Sequence, residues 1–268
     1  MTNEPNTYFV ALGEGRYRPT SHSGSAWGDE GLHFGPVAGL LVHHMERWHA
    51  ANSDSDTVIS RICLEILGHI ANDDIQIETR MIRPGRTIEL METTAVIAQR
   101  PVISARAWAL SSFDTTSAEG SEFTRLPAPD ASPLFDATSM WPGGYIRSLE
   151  VRQATDERRP GRAAAWLTTE HGLVEGKPSG ALASYMALVD TANGVAIRER
   201  PEEWVFPNID LTTHFFRQPE GRWAGVDTTV SFGATGQGLT SSVLHDVSGP
   251  VGTAQQILTV RPNPFGAR

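Results

Sequence analysis

The chain has 268 residues, 40% of them hydrophobic, which is enough for one large domain or two of about 130 residues, each with a core. Its 22 basic and 31 acidic residues give a net charge of −9, which argues against a nucleic-acid partner, because phosphates need a basic footprint. Cys63 is the single cysteine, so no intrachain disulfide or cysteine metal site can form. Met1 to Phe9 lacks a charged-then-apolar leader and no apolar run reaches spanning length, so a cytoplasmic protein with no membrane span is expected.

In chain order, Tyr8 to Val10 and Arg16 to Pro19 read as short extended pieces. From Pro36 to His49, residues Val37, Leu40, Leu41, Met45 and Trp48 recur at helical spacing, and Pro36 suits a first turn. Four strand-like runs follow: Val58 to Ile70, Ile75 to Ile82, Thr87 to Ala98 and Pro101 to Leu110. Turn residues such as Pro84-Gly85 join them. Ser111 to Pro142 is rich in Ser, Thr, Ala and Pro without a period, and reads as a linker crossing the surface. The plan then repeats. Tyr145 to Arg152 and Ala163 to Thr169 look like strands around a charged loop, and Ala181 to Ala196 is helix-like. Asn208 to Phe216, Arg222 to Ala234, Leu239 to Asp246 and Pro250 to Val260 read as four more strands.

The halves overlay by landmarks: Trp27 with Trp166, Gly35 with Gly180, Leu67 with Phe216, Gly85 with Gly236, Pro101 with Pro250. Leu67 to Gly85 is 85 − 67 = 18 residues and Phe216 to Gly236 is 236 − 216 = 20, a difference that fits a longer turn at Glu220-Gly221. An internal duplication in an α+β chain is expected: residues 1–110 as one unit, 111–142 as linker, 143–268 as the second. Each unit wraps an antiparallel sheet around one helix, and joining the two edge to edge covers open strand edges.

The runs WVFPNIDLTTHFFRQPEGRWAGVD and GATGQGLTSSVLHDVSGPVGTAQQILTVRP resemble the C-terminal half of the acyl-CoA thioesterase II-like, double-hotdog proteins. SAWGDEGLHFGPVAGLL and IRPGRTIELMETTAVIAQRPVISARAWAL resemble the N-terminal half. The resemblance covers the chain except the linker and the loop at Arg158 to Arg162. It implies a double hotdog fold, acyl-CoA as substrate and hydrolysis of its thioester. By motif position the catalytic set falls on Asp190, Asn208 and Gln256. Better-studied members carry Thr where this chain has Asn208.

The residues can be weighed beside that implication. Asp190 falls at the edge of the stripe Leu182, Met186, Val189, so it is either a helix-surface carboxylate or a buried, partnered one. Strand alternation puts Gln256 among Ala254, Leu258 and Val260, as a structural hydrogen-bonder or a water positioner. Alternation turns Asn208 away from the core side, although it follows Pro207 at a strand entrance where the pleat can fail. In the overlay these three face Met45, Ile59 and Ala107, which are all apolar. The second unit alone would then carry a polar site.

The mechanism expected is water attack without an acyl-enzyme. Asp190 is the general base, and Gln256 and Asn208 hold the water. Gly180 or Ala181 N–H, at a helix start, would form the oxyanion hole. Tyr185, Met186 and Phe215 would line an acyl channel beside the helix. No metal or redox cofactor is implied: HHMER lacks the i, i+4 spacing of a helical metal site, and His33 lies ten residues from His43 with no carboxylate pattern to complete one. GSAWG, from Gly24 to Gly28, and Pro178-Ser179-Gly180 do not frame a serine nucleophile. Gly233 to Gly238 reads as a hairpin turn. Arg80, Arg83 and Arg86, or Arg158, Arg159 and Arg162, are either solvated or phosphate ligands. A noncatalytic acyl-CoA binder is one rival reading. The other is a hotdog enoyl-CoA hydratase, which would want a His/Asp pair at the helix start, and no sequence motif shows one. A homo-oligomer is left open.

Overall fold

The structure, a computed structural model, describes residues 4–27 and 31–264. Gly28, with which GSAWG ends, lies outside them.

The first half opens with β1 (Thr7–Gly13) and β2 (Arg16–Pro19), a hairpin, followed by α1 (Phe34–Asn52). The helix starts where the His33 side chain accepts the Gly35 N–H, and Pro36 sits in the first turn, where a missing N–H costs nothing. Val37, Leu40, Leu41 and Met45 are fully buried, as their spacing predicts. Then comes the meander β3 (Thr57–Ile66), β4 (Ile75–Arg83), β5 (Ile88–Ile97) and β6 (Arg100–Ser111). The second half holds α2 (Gly144–Arg147), β7 (Leu149–Gln153), β8 (Arg162–Thr169), β9 (Gly172–Val174), α3 (Ala181–Val189) and α4 (Ala192–Val195). The chain continues through β10 (Trp204–Val205), β11 (Asp210–Phe215), β12 (Ala224–Phe232), β13 (Gln237–Asp246), β14 (Gly249–Thr259) and β15 (Arg261–Pro262).

Thirteen strands form one sheet in the order β7-β8-β12-β13-β14-β11-β3-β6-β5-β4-β2-β1-β9, and α1 and α3 pack together against it. The halves meet edge to edge at β11 and β3. The duplication has a single register. β12, β13 and β14 begin 149 residues after β4, β5 and β6 (224 − 75, 237 − 88, 249 − 100). In the antiparallel pair at the centre, Thr212 faces Cys63, its own equivalent at that offset, as residues on a twofold axis must.

This register corrects two landmarks. Gly85 answers Ala234 rather than Gly236, so no longer turn is needed. Trp166 lies on β8, the counterpart of β2 in the sheet order, and so does not answer Trp27, which precedes α1. Two elements also differ from expectation. Residues 144–147 are helical because Tyr145 is pulled inward to hydrogen-bond α3. The helix expected from Ala181 to Ala196 breaks at Asp190–Thr191. There the Tyr145 hydroxyl donates to Ala187 O at 2.7 Å and meets Thr191 Oγ1 at 2.8 Å, while Thr191 N–H bonds Leu188 O instead. The tightened last turn aims Asp190 out of the helix.

The segment 111–142 is only partly a surface linker. Residues 111–125 are almost wholly exposed, whereas Pro129, Ser132 and Trp141 are buried, and Pro127 O accepts the Trp166 indole N–H. β9 leaves the second half to pair in parallel with β1 at the far edge of the first.

Candidate active site

α1 and α3 run antiparallel at close range. A Cβ on Gly39 would lie 2.7 Å from Ala187 Cβ and 2.9 Å from Ala183 O, and one on Gly35 would lie 2.7 Å from Ala187 O, so only glycine permits this contact. Antiparallel packing sets the C-terminal end of α3 against the N-terminus of α1, and Asp190 sits at that junction.

The Asp190 carboxylate is buried and held from three sides. Oδ1 accepts from Gln256 Nε2 at 2.8 Å and Asn208 Nδ2 at 2.9 Å, and the Gly35 N–H, shared with His33 Nδ1, supports the carboxylate as a third donor. Oδ2 faces His33 Nδ1 at 3.4 Å. That contact is not an ion pair, because burial pushes the His33 pKa down to about 3 and the ring is neutral. Nδ1 accepts the Gly35 N–H at 3.0 Å, which puts the ring proton on Nε2. Two lone pairs meet at Oδ2 and Nδ1, an arrangement eased by a proton. Burial raises Asp190 to about 6, the three hydrogen bonds only partly offsetting it.

The sequence placed Asp190, Asn208 and Gln256 at one point, and the structure brings them within hydrogen-bonding distance. Asn208 reaches it because β11 begins only at Asp210. Outside the pleat, its Nδ2 turns back to Asp190 and to Asp210 O at 3.0 Å, so alternation does not apply. Both Nδ2 hydrogens are used, which leaves Oδ1 as an acceptor. Gln256 lies on β14 with its amide on Asp190, behind the carboxylate and not on the cleft wall. That bond makes the Gln256 amide a support of the Asp190 carboxylate.

The other assigned residues lie elsewhere. Gly180 and Ala181 start α3, about 14 Å of helix rise from Asp190. They abut Glu46 of α1, whose Oε2 would lie 2.6 Å from a Cβ on Gly180, and they cannot serve as this site's oxyanion hole. Antiparallel packing sets the N-terminus of α1, and not that of α3, beside Asp190. Tyr185, Met186 and Phe215 are buried in the core and none lines the cleft. The Tyr185 hydroxyl donates to His245 O at 2.9 Å, and its ring packs edge-on against Phe215. The space expected for an acyl channel is filled.

The cleft open to Asp190 and Asn208 is lined instead by the aromatic residues Trp27, Phe135 and Trp141, by Met140, and by Ala163 and Ala165 of β8. Trp27 and Trp141 pack at 5.0 Å, and the Trp141 indole donates to Gly194 O at 3.1 Å. His33 is the residue the sequence reading missed. Metal-ligand spacing gives it no partner, yet its place directly before Phe34-Gly35-Pro36 marks it as the cap of α1. Of the other histidines on α1, His44 meets Tyr17 and His49 meets Glu89.

A fused pair of helix-on-sheet units about one pseudo-twofold, with a polar constellation in one of two equivalent places, defines a double hotdog protein. Sequence profiles of the acyl-CoA thioesterase N-terminal and C-terminal domains match residues 23–110 and 127–260, and the chain belongs to that family. Comparison with curated protein sequences finds no match. Among solved structures, a conserved protein with hot dog fold from Alicyclobacillus acidocaldarius is similar, with TM-score 0.73 and 15% identity over 94% of this chain and 95% of that one. An acyl-CoA thioesterase II from Mycobacterium marinum has TM-score 0.66 and 15% identity over 98% of both chains. The tesB protein of Mycobacterium avium subsp. paratuberculosis has TM-score 0.66 and 15% identity over 95% and 96%. These likenesses establish the fold.

Proposed function

We propose that the protein hydrolyses acyl-CoA thioesters at the Asp190 end of the cleft. The observation carrying this reading is a buried carboxylate, held through Oδ1 by Gln256 and Asn208 and raised to about 6, with Oδ2 left on the His33 side. A base with that pKa is ionised at neutral pH and still accepts a proton readily. Oδ2 takes a proton from water, and Asn208 Oδ1 accepts the other O–H. The water oxygen bonds the thioester carbon. The negative charge forming on the carbonyl oxygen is met by His33 Nε2–H and the N-terminus of α1. The C–S bond then breaks, and the leaving thiolate takes the proton back from Asp190.

Thiol release from a panel of acyl-CoAs tests this. Asp190→Asn is expected to lose at least about a thousandfold in kcat, and His33→Ala about a hundredfold through its missing donor. Full turnover by the Asp190→Asn variant would remove Asp190 from the reaction.

One observation favours a second reading. His33 and Asp190 form a His/Asp pair at a helix start, the feature wanted by a hotdog enoyl-CoA hydratase and absent from any sequence motif. A hydratase needs such a histidine to exchange protons near neutrality, and His33, at about 3, is a poor base. Loss of enoyl absorbance with crotonyl-CoA, without thiol release, would instead establish hydration.

A further inference from the structure

Beyond Asp190 the chain follows the cleft through Thr191, Asn193, Gly194 and Val195. Val195 and Arg158 also border an adjoining groove, whose walls carry Arg159, Arg198 and Arg200, with Glu199 the one acid among them. Elsewhere in this acidic chain Arg162 pairs with Asp227, and Arg217 with Asp246. Among the described residues none of the four groove arginines forms an ion pair. Arg158 rests on the Phe135 ring at 4.1 Å, and Arg198 donates to Val230 O at 3.4 Å.

The groove is pre-formed. Gly161, at φ +76°, turns the loop carrying Arg158 and Arg159. Its N–H bonds Ile197 O at 3.0 Å, which ties that loop to the segment bearing Arg198 and Arg200, and its carbonyl accepts Val230 N–H at 2.8 Å, which fixes the loop to β12. Four guanidinium groups without a carboxylate partner, on tethered backbone, suit a multiply charged phosphate ligand.

A second observation lies between the groove and Asp190. Asn193 is buried on the cleft wall. Its Nδ2 donates to Phe206 O at 3.1 Å, while its Oδ1 is buried without a partner. A buried acceptor left open costs free energy unless an incoming N–H fills it.

We propose that cleft and groove together form a recognition path for coenzyme A. Asn193 Oδ1 accepts an amide N–H of the pantetheine arm, and Arg158, Arg159, Arg198 and Arg200 hold the diphosphate and 3′-phosphate. The carrier is then free CoA and not an acyl carrier protein, whose phosphopantetheine lacks the nucleotide. The proposal rests on thioester hydrolysis at Asp190.

The test uses the full chain and the triple variant Arg159→Gln/Arg198→Gln/Arg200→Gln, with Arg261→Gln, outside the groove, as control. Two readouts are taken: CoA binding by calorimetry, and the ratio of kcat/KM for octanoyl-CoA to that for octanoyl-N-acetylcysteamine, which has no phosphate. The triple variant should weaken CoA binding and lower the ratio by about tenfold or more, through KM, while the control retains both. An unchanged ratio with unchanged binding would overturn the path. So would arginine dependence confined to octanoyl-carrier protein. If neither thioester is cleaved but CoA binding still falls in the triple variant, the path stands and the hydrolytic reading fails.

Discussion

Asp190 has two measurable consequences. Its base form is lost as pH falls through about 6, so kcat/KM should be level above neutrality and drop tenfold per pH unit below that point. A rate independent of pH between 5 and 8 would exclude a base with this pKa. Stability should move the other way. The folded pKa lies above that of an ordinary aspartate, so the protonated form is the one that folding favours. This contribution is complete at pH values below the unfolded pKa and disappears as pH rises through about 6. Asp190→Asn should therefore be more stable than the parent at pH 8, by on the order of 2–3 kcal/mol, with the difference shrinking to below about 1 kcal/mol at pH 4. Urea unfolding at the two pH values checks this. Gln256 and Asn208 can both donate to an asparagine carbonyl, so their bonds survive the change.

At the scale of elements, the site is made by how α3 ends. Tyr145 supplies the hydroxyl that draws Ala187 O out of the helical ladder, and it also packs against the His33 ring at 4.2 Å. Tyr145→Phe keeps the ring and removes the hydroxyl. It should cost about 1–3 kcal/mol in denaturant unfolding and lower kcat, since Asp190 is then free to follow a regular helix. Unchanged kcat in the stable variant would show that the cap does not position the base. Gly39 acts through spacing. Gly39→Ala forces α1 off Ala187, and the strain expected is about 1–3 kcal/mol, read as a lower Tm.

Across the molecule, one register offset of 149 residues relates the two sheets, yet the polar set exists once. Ile59 and Ala107, 149 residues before Asn208 and Gln256, are buried and apolar, as is Met45, which faces Asp190 in the Gly35–Gly180 overlay at an offset of 145. Met45→Asp should thus produce no second activity. It would bury a carboxylate that neither Ile59 nor Ala107 can bond, at a cost of several kcal/mol. A stable, doubly active Met45→Asp variant would contradict the asymmetry. The far end of the helix pair carries a different acid, Glu46, raised to about 7 by burial alone.

Hydrophobic periodicity alone determined much of this protein. The period of 3.6 over Pro36 to His49 and the alternation along eight strands fixed where the chain is helical or extended. The repeated order of elements fixed the duplication, because these patterns are local and each residue's burial is set by its own element. Asp190, Asn208 and Gln256 could be named from motif positions, but not what each amide does. The tertiary structure alone decided which helix terminus faces the base, because that depends on the antiparallel packing allowed by Gly35 and Gly39. It also decided that Tyr185, Met186 and Phe215 are core, that the second part of the linker walls the cleft, and that His33 stands beside Asp190. Each is a contact between residues far apart in the chain, and no period along one segment records it.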